Sequence, residues 1–129
     1  MQPLNRQTLE ILKKEYPKGC RVKLVQMDDD QAPPIGTKGT VKGIDSTGSI
    51  LVSWDTGSSL NVLYGIDSCE VIPACETICY GQRQVWVIRQ DAIDFFKEGM
   101  ENSDGSEKER YTNVFLDLIC GKYKCSDSK

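Results

Sequence analysis

The chain has 129 residues, enough for one ordinary domain or two very small ones. Hydrophobic residues make up 39% and charged residues 27%, which excludes a disordered chain, and no apolar run is long enough to span a bilayer. The net charge of −3 is spread over both halves without a basic arm, so binding by phosphate neutralisation is disfavoured; the absence of histidine removes Ser–His and Cys–His nucleophiles, His-ligated metals and the usual general base near neutral pH.

The N-terminal stretch MQPLNRQTLEILKKEY alternates polar and apolar residues and lacks the continuous apolar run of a signal peptide. A cytoplasmic protein with reduced thiols is therefore expected. Leu4, Leu9, Leu12 and Tyr16 predict a helix over residues 4–15, stopped by Pro17. CRVKLV then alternates, with Cys20, Val22 and Leu24 on one face. After a loop over 26–36, GTVKGI, SILVSW, SLNVLY and SCEVI read as four more short strands separated by Gly and Ser. Five such strands are too short for a two-layer sandwich and predict a bent barrel with glycine at its corners.

Gly36-x-x-Gly39-x-Val41 and Val52-x-Trp54-Asp55-x-Gly57 resemble motifs of a small bacterial and phage family classed as a domain of unknown function. The likeness runs from about residue 16 to residue 73 and implies an SH3-like β-barrel, which the helix read over residues 4–15 would precede. The chain as a whole resembles an anti-CRISPR protein directed at the type II RNA-guided nuclease. That resemblance implies a non-enzymatic inhibitor from a phage or mobile genetic element that binds a protein partner and blocks its access to DNA.

Residues 74–129 differ in character and predict a compact two-helix α+β unit, which makes the whole chain α+β with units at 1–73 and 74–129. QVWVIRQ reads as a strand and DAIDFFKEGM as a helix capped by Asp91, with Ile93, Phe96 and Met100 on one side. Ser106 and Glu109 fit a capping box, behind which Tyr111, Val114, Phe115, Leu118 and Ile119 form a helical stripe ending at Gly121.

The cysteines separate by pattern. Cys20 and Cys69 share strand faces with valines and read as small core residues. Cys75-x3-Cys79 and Cys120-x4-Cys125 flank the second unit, and four thiolates at about 2.3 Å would complete a structural zinc site. With all four positions taken by protein, such a zinc would have no open position for catalysis. The alternative is four unrelated buried thiols, or disulfides in an exported protein.

Other constellations are weaker. Asp28, Asp29 and Asp30 suggest a hard cation but read more simply as a solvated loop. Trp54 and Tyr64 are too few for an aromatic cage, and Trp54 shares a face with Ile50 and Val52. Arg21, Lys23, Lys38 and Lys42 could meet nucleic acid, giving an accessory DNA-binding protein as the alternative function, although a solvated sheet face is the stronger reading. Glu98, Glu101, Asp104, Glu107 and Glu109 form an acidic stretch suited to a basic groove on a protein partner.

Overall fold

A computed structural model describes residues 4–128 and divides at the Ile72–Pro73 junction into two units. In the first, the Asn5 side chain accepts the Thr8 N–H at 2.8 Å and starts helix α1, Arg6–Glu15. Leu4 and Leu12 lay their side chains over Gly48, whose φ of 83° and bare Cα leave room for them. Strands β1 (Arg21–Gln26), β2 (Lys38–Ile44), β3 (Ile50–Trp54) and β4 (Ser68–Ile72) follow.

These four strands form one antiparallel sheet in the order β3-β2-β1-β4, with Val22 opposite Gly39 and Val71, and Val41 opposite Val52. The alternating apolar positions turn inward: Val22, Leu24, Val41, Val52 and Trp54 are buried with Cys20 beside them. Gly39 is a close-approach position. A Cβ there would lie 2.7 Å from Val52 Cγ1 and 2.8 Å from the Trp54 ring.

The closed barrel expected from sequence is not formed by the described ladders, which leave β3 and β4 as sheet edges. SLNVLY is not a strand; only Val62 bridges to Ile50. The physical cause lies in its flanks. The Trp54 indole N–H donates to the Leu60 carbonyl at 2.8 Å, and the Asp67 carboxylate accepts from Leu63 N at 3.0 Å and Asp28 N at 2.9 Å. These bonds hold residues 58–67 as a loop.

In the second unit, β5 (Cys75–Cys79) and β6 (Gln82–Trp86) form a hairpin, and β7 (Lys124–Ser126) adds parallel to β5 on its other side. Tyr80 and Gly81 make the two-residue hairpin turn with φ of 53° and 74°, the left-handed pair whose twist matches that of the strands. Helices α2 (Arg89–Glu101) and α3 (Gly105–Ile119) complete the unit. Cys75, Ala92, Phe96, Val114, Leu118 and Cys125 form its core, with Trp86, Ile93, Tyr111 and Phe115 packed against them.

Several sequence expectations shift here. The strand read in QVWVIRQ ends at Trp86, and α2 begins at Arg89, so Asp91 sits in the first turn instead of capping it. Asp104 occupies the N-cap of α3 without a side-chain hydrogen bond. Ser106 lies inside the helix, where it cannot make the expected capping box. The other end of α3 is held by Arg89, whose guanidinium donates to the carbonyls of Leu118 (3.0 Å) and Lys122 (2.9 Å), with Ala74 at 3.3 Å. That contact meets the free carbonyls of a helix C-terminus with a cation. Among the described residues no helix is long and apolar enough to cross a membrane.

Candidate functional site

The four cysteines proposed as zinc ligands fall in different environments. Cys75 on β5 and Cys125 on β7 are buried in the apolar core, and the Cys125 thiol donates to the Lys122 carbonyl at 3.4 Å. Burial pushes both thiols up, and the neighbouring Cys75 adds to the effect at Cys125. Cys79 is half-buried and also pushed up, first by burial and then by the Asp127 carboxylate. Cys120 caps α3 and is exposed. Among the described residues no group of three or more Cys, Asp or Glu side chains is placed to hold a metal ion. Of the four, Cys75 and Cys125 are buried, Cys79 is half-buried and Cys120 is exposed.

The first unit offers little chemistry. Arg21 donates to both Asp55 oxygens, at 2.9 and 2.5 Å, and Lys23 Nζ lies 3.9 Å from Glu70. Two of the four cations of the basic face are thus already paired, while Lys38 and Lys42 are exposed. Asp29 accepts the Gln31 N–H at 2.7 Å, and Asp28 donates its own N–H to Asp67, as loop residues do. Trp54 is buried and Tyr64 exposed, so the two do not form a cage.

The second unit carries a more distinctive surface. Residues 91–110 hold seven acidic and three basic side chains, a net charge of −4 against −3 for the entire chain. Glu98, Glu101, Asp104, Glu107 and Glu109 are all exposed. Helix α2 brings Glu98 and Glu101 to its last turns, the Asn102–Asp104 corner reverses the chain, and α3 supplies Glu107 and Glu109.

Beside this acidic corner lies a run of aromatic rings. Trp86, Phe95, Phe96, Tyr111 and Tyr80 follow one another at centroid separations of 5.1–6.4 Å, the range of favourable ring contacts. All but Trp86 border one or both of two openings. One, of about 410 Å³, is lined by Thr77, Cys79, Gln84, Phe95, Phe96 and Tyr111 among others. The second, of about 260 Å³, lies between α2 and α3 and is lined by Phe95, Glu98, Gly99, Asn102 and Tyr111. Phe95 is 53% exposed, an unusual state for a phenylalanine with so much ring surface around it.

Electrostatics around the openings is one-sided. Arg110 stacks 4.7 Å from the Tyr80 ring centroid and donates to Asp127 at 2.8 Å. Asp127 also accepts the Tyr80 N–H at 2.9 Å. That backbone bond, opposed by burial and helped by Arg110, holds the Asp127 carboxyl below the ordinary carboxylate range. Arg83 is similarly engaged by both Glu76 oxygens, at 2.5 and 3.0 Å. The cations at the openings therefore have internal partners, and the acids of the corner face outward.

Sequence reasoning located the five acids but not the aromatic groove beside them. Phe95 falls off the apolar side of α2 set by Ile93, Phe96 and Met100, and Tyr111 reads as a core residue. Gly99 inside a helix was the available signal: a Cβ there would lie 3.2 Å from the Tyr111 ring.

Residues 5–72, more than half of the chain, match the model of a family described as a domain of unknown function (DUF4314), and the chain belongs to that family. No curated protein and no solved structure matches it. The second unit, with the acidic corner and the aromatic groove, lies outside the matched residues.

Proposed function

We propose, from the sequence resemblance and the surface of the second unit, that the chain is a non-enzymatic protein-binding inhibitor. The first unit serves as an inert scaffold, and the α2–α3 corner is the contact surface. The observation that carries this reading is the concentration of charge: twenty residues account for more than the whole net negative charge of the molecule. An acidic surface with exposed aromatic area suits a partner whose own site is basic, because opposite potentials steer encounter and aromatic rings supply buried area at the contact.

Proteins that hold nucleic acid in positively charged channels are the natural class of target, and an RNA-guided nuclease of type II is the specific one the sequence resemblance favours. On this reading the chain comes from a phage or mobile element and acts in the host cytoplasm. Occupying such a channel excludes DNA by sterics and by charge. No metal is needed for the contact.

The test is capture of the nuclease by the intact chain and by a variant with Glu98, Glu101 and Glu107 each changed to Lys. The triple reversal is expected to weaken capture at least tenfold while the circular dichroism spectrum stays unchanged, and to relieve inhibition of DNA binding. Equal capture by both proteins removes the acidic corner from the contact. Failure of both to bind any nuclease of this type removes the target class.

A further inference from the structure

Within that protein-binding reading, we propose that the groove between α2 and α3 is a subsite for one arginine side chain presented by the partner. Phe95, Glu98, Gly99 and Asn102 stand at i, i+3, i+4 and i+7 and so form a single stripe along α2. Tyr111 of α3 closes the opposite wall. The groove thus offers two aromatic rings, one carboxylate and one amide oxygen around about 260 Å³. That is below the roughly 300–1,000 Å³ of a small-molecule pocket and suits one side chain.

The floor of the groove depends on the absence of a side chain. Glycine inside a helix costs about 1 kcal/mol relative to alanine. At position 99 the Tyr111 ring lies so close that a Cβ would come within 3.2 Å of two of its carbons, so the glycine admits the ring against the helix.

Charge and shape together select a guanidinium. No lysine or arginine lines the groove. Lys97 projects from the opposite side of α2 at 100° per residue, Arg83 of the adjoining opening is bonded to Glu76, and Arg110 beyond it to Asp127. A planar cation stacks on ring faces while donating in its own plane to a carboxylate, which an ammonium does less well. The unit already builds this arrangement once for itself: Arg110 lies over the Tyr80 ring and donates to Asp127. The groove presents the same combination of ring and carboxylate with the cation to be supplied from outside.

Two-dimensional amide NMR of the intact chain, titrated with N-acetyl-arginine amide and in parallel with the lysine and citrulline analogues, tests the assignment. Arginine is expected to shift the resonances of Phe95, Glu98, Gly99, Asn102 and Tyr111, lysine to do so more weakly, and neutral citrulline not at all. Glu98→Gln should weaken arginine binding about tenfold, the loss expected for one charge-assisted hydrogen bond. Gly99→Leu, which fills the groove, should abolish the shifts, and the near-isosteric Glu98→Gln keeps the test valid if Gly99→Leu unfolds. Shifts elsewhere, no shifts, or equal binding of citrulline overturn the subsite. Groove shifts that appear on concentrating the protein alone would assign it to a second copy and equally overturn it. Nuclease capture that survives Glu98→Gln and Gly99→Leu removes the subsite but leaves the binding module standing; arginine binding without nuclease capture does the reverse.

Discussion

Asp127 shows how one side chain organises the second unit. Its carboxylate gathers the Tyr80 N–H at the hairpin turn and the Arg110 guanidinium on α3. Because these bonds lower its folded pKa, its contribution to stability is complete above the ordinary carboxylate value and is lost as pH falls through the lowered one. Urea midpoints for the second unit should therefore decline below about pH 4, and Asp127→Asn should flatten part of that decline. A variant with the same slope as the wild type would remove Asp127 from the linkage. Arg89 acts in the same way at the end of α3. Arg89→Ala leaves the Leu118 and Lys122 carbonyls without their cation and should lower stability by about 1–3 kcal/mol in urea titration. None of these partnerships was legible in sequence, since each joins residues that only the folded chain brings together.

Among the elements, α3 was the clearest to read. Val114 and Leu118 are fully buried and Tyr111 and Phe115 pack beside them, as their spacing requires, although Ile119 at the end of the stripe is exposed. Leu118→Ala should cost about 2–5 kcal/mol, the range for truncating a buried leucine. In β2, Gly39→Ala would drive a methyl into Val52 and Trp54 and should destabilise the first unit by about 1–3 kcal/mol. The alternation of Leu60, Val62 and Tyr64 imitated a strand, but the Trp54 and Asp67 bonds to that segment decide for a loop. Strand β7 escaped notice because three residues are too few for any alternation to register. The groove escaped because α2 supplies only half of it, and its other wall comes from α3.

At the scale of the molecule, each unit has its own core and its own tryptophan, Trp54 in the first and Trp86 in the second. The two indole N–H resonances therefore report the units separately: Leu118→Ala should lower the urea midpoint read at Trp86 and leave that at Trp54 in place. The positions of the thiols also bear on the whole unit. Chelator is expected to leave the Trp86 resonance and the melting curve unchanged, whereas unfolding on chelation, with zinc near one equivalent per chain, would show that Cys75, Cys79, Cys120 and Cys125 do converge. Cysteine spacing alone suggested convergence, but spacing does not report that Cys75 and Cys125 turn into the core while Cys120 faces outward.

Hydrogen–deuterium exchange of the intact chain, alone and with a captured nuclease, is the most direct measurement of the claim that the α2–α3 corner makes the contact. Protection over residues 95–111, with the first unit unchanged, is the predicted result. Protection instead on β1 and β2, around Arg21, Lys23 and Lys42, would contradict it and place the contact on the basic sheet face.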